Sequence, residues 1–238
     1  MENKHKVYNL IILDESGSMG SIKKTIINGF NEVVQTIKSV ALQYPEQEQT
    51  ITFVSFNSSG IKKMNENSKI ELLNQIDDRS YTPNGGTPLF DAMAASFFNL
   101  NWIIEKENPK NYNVLVTILT DGEENASKEH NAQSIKEKIE QLRLNRWTFT
   151  YIGANHDVDV FASRISITNV MKFETNEDDI QRMFMRDHNA RMNYSKKIRD
   201  FKDVSDGYFQ QPEPDEVIPD TEEKKAESKS IWKKLFGK

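Results

Sequence analysis

The apolar run Val7-Tyr8-Asn9-Leu10-Ile11-Ile12-Leu13 limits what this chain can fold into more than any other feature. A strand with one wet face alternates apolar and polar residues. A nearly continuous run belongs to a strand covered on both faces, as in a parallel sheet held between two helical layers. Residues 6–13 are therefore predicted to be a buried strand, and Ile51-Thr52-Phe53-Val54-Ser55-Phe56, Val114-Leu115-Val116-Thr117-Ile118-Leu119 and Trp147–Ile152 to be others, with a last strand near Ile167–Phe173. Between them the period changes. Ile22, Ile26, Phe30, Val33, Ile37 and Val40 recur at three- and four-residue steps, which predicts an amphipathic helix over 20–43 ended by Pro45. Further helices are expected over about 69–76, 88–107, 127–144 and 158–165, and a long one from Glu177 to about Arg199, whose apolar face (Ile180, Met183, Phe184) fades toward its end. Ile61–Met64 reads as a short antiparallel edge strand. Strands alternating with helices predict a doubly wound, mostly parallel six-stranded α/β sheet, Rossmann-like in outline.

Composition narrows the function classes. With 37% hydrophobic and 28% charged residues the chain fits a soluble globular protein with a polar appendage. A net charge of −5 argues against nucleic acid as a partner. With no cysteine there is no disulfide, thiolate zinc site or cysteine nucleophile. Lys4, His5 and Lys6 before the first apolar run resemble a signal peptide only superficially, because the run is short, contains Asn9 and ends in Asp14. A cytoplasmic location is the expectation. From residue 204 the chain turns polar and Pro-containing, so the expected division is a folded domain over 1–203, a disordered acidic linker over 204–228 and a short amphipathic motif over 229–238.

The first strand runs into Leu13-Asp14-Glu15-Ser16-Gly17-Ser18-Met19-Gly20, which sets oxygen-bearing side chains two residues apart. In an open α/β sheet, ligands sit outside the carboxyl ends of the strands, near the point where strand order reverses. Asp121-Gly122-Glu123 follows a second buried strand, and Asn84-Gly85-Gly86-Thr87-Pro88 delivers Thr87 to the start of a helix. Each piece also has an ordinary reading. Ser18 or Ser21 could cap a helix, Thr87-Pro88 fits a cap followed by proline, and Asp-Gly is a common turn. Glu123, Glu124 and Asn125 read as solvated residues before a helix, and Asp91 as a first-turn acid with a dipole or packing role. His5, His130, His156 and His188 show no ligand spacing.

The three pieces together resemble the von Willebrand factor A (VWA) domain family, whose metal-ion-dependent adhesion site (MIDAS) has the form Asp-x-Ser-x-Ser, then Thr, then Asp. The matching residues are Asp14, Ser16 and Ser18, Thr87 within Gly-Gly-Thr-Pro-Leu, and Asp121 within Leu-Thr-Asp-Gly-Glu. The resemblance covers residues 6–200, and the form Gly-Gly-Thr-Pro-Leu-Phe-Asp-Ala is more similar to bacterial cytoplasmic members, among them the tellurium-resistance-associated branch. It implies a Mg²⁺ ion, with Mn²⁺ or Ca²⁺ as substitutes, held by Asp14, Ser16, Ser18, Thr87 and Asp121. It also implies a non-enzymatic module that binds an Asp or Glu of a partner protein. The chemistry agrees: all five are hard oxygen donors, and hydroxyls add no charge, so the ion would stay electrophilic.

The main alternative is a Mg²⁺-dependent phosphatase or phosphotransferase. A haloacid-dehalogenase-type enzyme would want a second acid where Ser16 stands, and no general base is evidently paired with a nucleophile. A dinucleotide-binding domain fits less well, since Gly17 and Gly20 do not make the glycine fingerprint. A degenerate scaffold with an incidental metal is a third reading. In the tail, Ile231 with Leu235 and Trp232 with Phe236 repeat at four-residue spacing among Lys229, Lys233, Lys234 and Lys238. The expectation there is a segment that folds on a second protein partner or makes weak contact with an anionic membrane surface.

Overall fold

The computed structural model describes residues 4–72 and 75–210. Six strands, β1 (His5–Asp14), β2 (Gln47–Asn57), β3 (Gly60–Lys69), β4 (Tyr112–Thr120), β5 (Trp147–Gly153) and β6 (Asn169–Lys172), form one sheet in the order β3-β2-β1-β4-β5-β6. Every pairing is parallel except that of β3 with β2, which is antiparallel. The five helices are α1 (Lys23–Gln43), α2 (Leu89–Glu107), α3 (Ala132–Arg143), α4 (Val158–Arg164) and α5 (Glu177–Arg199).

The continuous apolar run of β1 is explained by its position. Tyr8, Leu10 and Ile12 pack with α2, α3 and α4 on one face, and Ile11 and Leu13 pack with α1 and α5 on the other. The strand is also paired on both edges, Leu10 lying opposite Thr52 of β2 and Val116 of β4. From β1 the chain moves outward to β2 and β3, then crosses to the other side of β1 for β4, β5 and β6. Strand order therefore reverses between β1 and β4, and the carboxyl ends of those two strands open a crevice.

Several boundaries differ from the sequence reading. Residues 17–22 form a 3₁₀ turn, so α1 begins at Lys23 rather than 20. The edge strand runs on to Lys69, and a single 3₁₀ turn, Ile70–Leu72, stands where a small helix was expected. The third helix begins at Ala132, because Asn131 and Ser134 form a reciprocal capping box there. The packed chain also continues past 203: Val204 and Tyr208 are buried against Val7, Leu115 and Ala190, so residues 204–210 belong to the folded unit and not to a linker. The rest of the tail, with the 229–238 motif, lies outside the described residues. Among the described residues no helix is long and apolar enough to cross a membrane.

The fading face of α5 is filled by buried polar groups. Arg191 donates to Asp187 (2.7 Å), to the Asn9 carboxamide oxygen of β1 (3.3 Å) and to the Thr117 hydroxyl of β4 (2.8 Å). The Tyr208 hydroxyl donates to the other Asp187 oxygen at 3.1 Å. One ion pair thus ties α5, both central strands and the 204–210 turn together, and it accounts for Asn9 in an otherwise apolar run. Removing one partner leaves the other charge buried and unpaired, which costs about 3–5 kcal/mol. Asp187→Ala is accordingly expected to lower the unfolding free energy by about that amount in urea titration, and Tyr208→Phe by about 1 kcal/mol. Joint replacement, Asp187→Leu with Arg191→Met, should cost less than Asp187→Ala alone.

Candidate metal centre

Asp14 ends β1 and Thr120 ends β4, so Asp14 and Asp121 emerge on either side of the switch point. The Asp14 carboxylate is held by two donors. Its Oδ1 accepts the Ser16 N–H at 2.7 Å and its Oδ2 accepts the Thr120 hydroxyl at 2.6 Å. The backbone is extended at Ser16, and the 3₁₀ turn that begins at Gly17 carries Ser18. The Ser16 and Ser18 hydroxyls are 3.1 Å apart, and the Ser18 hydroxyl donates to Asp121 Oδ1 at 2.6 Å. Four of the five residues expected at the site therefore form one connected group.

Thr87 is brought up by backbone contacts on both sides. Gly17 N–H donates to Gly85 O at 2.9 Å, which binds the 84–87 segment to the 14–18 loop. Asn125 donates its N–H to Thr87 O at 3.1 Å and accepts the Thr87 N–H on its side-chain oxygen at 2.9 Å, which binds the same segment to the loop after β4. Thr87 is buried. Gly85 has φ +70°, and a Cβ there would lie 2.1 Å from the Ser58 hydroxyl, so this turn requires glycine.

The electrostatics are unusual for a surface loop. Asp14 and Asp121 are 0% and 2% exposed. Burial pushes the Asp14 carboxyl up to about 6 against the opposing pull of the Thr120 and Ser16 hydrogen bonds, and the neighbouring Asp121 adds to the rise. Burial likewise raises Asp121, against its bond from Ser18. Among the described residues neither acid forms an ion pair with a lysine, arginine or histidine. Two carboxylates and three hydroxyls, dry and without a cationic side chain, are a donor set that fits a hard divalent cation.

Several supporting residues were not anticipated. Thr120 orients Asp14, and as the last residue of a strand it carried no motif signal. Glu124 and Asn125 are not simply solvated. The Glu124 carboxylate accepts the N–H groups of Phe90, Ala126 and Ser127 and so caps the start of α2, beside Asn125 holding Thr87. Asp91, expected to act on its own helix, accepts the N–H groups of Lys128 and His130 at 2.7 and 2.9 Å and faces His130 Nδ1 at 3.1 Å. Neither Ser18 nor Thr87 caps a helix with its side chain. Ser21 also takes another role, its hydroxyl donating to Ser18 O at 3.2 Å.

With this geometry in view, similarity to known proteins becomes interpretable. A family model for the von Willebrand factor type A domain matches residues 10–200. The chain belongs to that family. Solved structures with the VWA fold include the SpRpn10 VWA domain, at TM-score 0.53 and 8% identity over 75% of this chain and 93% of that one. The vWF domain of the type V pili tip protein Mfa5 from Porphyromonas gingivalis gives 0.52 and 10% over 85% and 98%. The chain spans 44% of proximal thread matrix protein 1 from the mussel byssus, at 14% identity and TM-score 0.48 over 76% of its own length. No curated protein matches it. At such identities the likenesses to the SpRpn10 and Mfa5 domains establish the VWA fold alone. VWA domains generally serve as protein-interaction modules.

Asp91 supplies a check on the loop architecture. Burial alone would raise its carboxyl, but the Lys128, His130 and Glu129 hydrogen bonds outweigh that and hold it below the usual carboxylate value. A depressed folded-state pKa adds stability that is present above the unfolded pKa and lost as pH falls through the folded one. Acid unfolding of Asp91→Asn should therefore lack the part of the wild-type pH dependence that lies below about pH 4. Asn125→Ala should cost about 1–2 kcal/mol by leaving the Thr87 N–H unpaired, read as a shift of the urea midpoint.

Proposed function

We propose that this VWA domain is a metal-dependent protein-interaction module, in which Asp14, Ser16, Ser18, Thr87 and Asp121 hold Mg²⁺ and the partner contributes an Asp or Glu. The observation that carries this reading is the pair of buried carboxylates, linked through Ser16 and Ser18 and, among the described residues, forming no ion pair, at the strand-order switch point. When bound, the ion supplies a Lewis-acidic position that a carboxylate can occupy and leave. The chain's own residues provide the rest. Asp14 and Asp121 supply the compensating negative charge, with Asp14 fixed in orientation by Ser16 N–H and the Thr120 hydroxyl. Ser16, Ser18 and Thr87 offer neutral oxygens that add no charge beyond the two carboxylates, so the ion carries no surplus of negative ligands and can still take an anionic partner group.

A non-catalytic role is part of the proposal: the Ser18 hydroxyl and the Asp121 carboxylate that accepts from it are both assigned to holding the ion rather than to nucleophile and base. The Mg²⁺-dependent phosphatase or phosphotransferase reading remains the competitor to be tested. Calorimetry with MgCl₂ is expected to show one binding site in the wild type and none in Asp14→Ala, with circular dichroism of the two alike. Mg²⁺ at 100 times its dissociation constant should stabilise the wild type by about 2.7 kcal/mol, an increment removed by chelator and missing in the variant. Partner capture should be lost with chelator. Phosphate-ester turnover that needs Mg²⁺ and vanishes in Asp14→Ala would replace this reading with the enzymatic one.

A further inference from the structure

Glu15 stands between two of the site residues, and its side chain points the other way. It is 1% exposed, yet it is a carboxylate. Its Oε1 accepts Lys62 Nζ at 2.7 Å and both the N–H and the hydroxyl of Thr82, and its Oε2 accepts the Ser55 hydroxyl. Lys62 Nζ donates further to Ser80 O at 2.8 Å. The backbone of Glu15 makes three more links: its N–H to Phe56 O at 2.8 Å, and its carbonyl from Asn84 N–H at 2.9 Å and from the Asn57 amide at 3.4 Å. A single residue thus joins the 14–18 loop, the end of β2, the edge strand β3 and the segment that leads into Thr87.

The consequence for the site is geometric. Thr87 belongs to a different stretch of chain from Asp14 and Asp121, so its hydroxyl is useful only if the 82–87 segment sits at a fixed height beside the 14–18 loop. Glu15 grips that segment at Thr82 and Asn84, and Gly17 grips it at Gly85. An apolar residue at position 15 could fill the space but could not accept Thr82 N–H. The Lys62 ammonium neutralises the buried carboxylate from the solvent side, its own side chain 43% exposed.

We propose that Glu15, together with Lys62, is a positioning residue that sets the affinity of the adhesion site by holding the Thr87 segment against the Asp14–Ser18 loop. This rests on the reading of that site as a Mg²⁺ site. Loss of a group that orients first-contact ligands typically lowers metal affinity about 10–100-fold.

The test is calorimetric titration of the full chain with MgCl₂, beside circular dichroism and the urea midpoint of each variant. Glu15→Gln is expected to weaken Mg²⁺ binding about 10-fold or more. Lys62→Ala should weaken it in the same direction, and Lys62→Arg should restore it to within about twofold, since a second cation can reach the same oxygen. Tyr208→Phe, remote from the site, should lose stability while keeping its affinity, which separates positioning from general destabilisation. Folded Glu15→Gln and Lys62→Ala proteins that bind Mg²⁺ as tightly as wild type would overturn the proposal. If Glu15→Gln fails to fold, Lys62→Ala and Lys62→Arg decide the matter between them. Should Asp14→Ala abolish binding while these variants leave it unchanged, the positioning role alone falls. Should the wild type bind no Mg²⁺, the site reading falls and takes this one with it.

Discussion

Strand β1 is hydrogen-bonded along both edges and covered on both faces, and the remaining elements are arranged around that fact. A fully paired, fully buried strand satisfies its backbone polar groups without water, so its side chains can be almost wholly apolar. The same centrality dictates where the chain can place charge. Asp14 is the first position at which β1 has parted from β4, while it is still paired with β2 opposite Phe56, and it lies where the connections diverge to opposite sides of the sheet. A polar loop there is walled by the segments after β1 and β4 and by the Thr87 segment, which is why its acids are dry.

Charge inside this domain is handled in three different ways. On the α5 face, Asp187 and Arg191 neutralise each other and take up Asn9, Thr117 and Tyr208 as further partners. Beneath the strand ends, Glu15 is neutralised by Lys62 from the solvent side. At the strand ends themselves Asp14 and Asp121 accept from hydroxyls and backbone N–H groups and, among the described residues, form no ion pair, and burial drives their carboxyls upward. The contrast lies within one molecule: two buried acids have their cations built in, and two do not. Desolvating an unpaired carboxylate is expensive, so the uncompensated pair is where an external cation gains most.

The supporting contacts of the site come from the loops after β1 and β4 and from the segment that leads into α2. Glu124 caps α2, Asn125 holds Thr87 at both its N–H and its carbonyl, and Asp91 gathers the N–H groups of residues 128–130. These are side chain to backbone bonds between segments far apart in sequence. They give the loops fixed mutual positions without regular secondary structure, which is what a site assembled from three stretches of chain requires.

The sequence by itself determined the strand–helix alternation, the doubly wound class and the edge position of β3, because apolar periodicity reports burial directly. It also singled out the five candidate oxygen donors, since Asp14, Ser16 and Ser18 are neighbours and Thr87 and Asp121 sit beside recognisable turns; their role as ligands is the proposal. Tertiary structure alone decided what surrounds them. Thr120, Glu15, Lys62 and Asn125 act through partners between 38 and 106 residues away, and no local pattern encodes a partner at that range. The end of the folded unit was hidden for the same reason. Residues 204–210 look like a polar linker, yet Val204 and Tyr208 are buried because α5 and the amino-terminal ends of β1 and β4 offer them an apolar seat and an acceptor on Asp187.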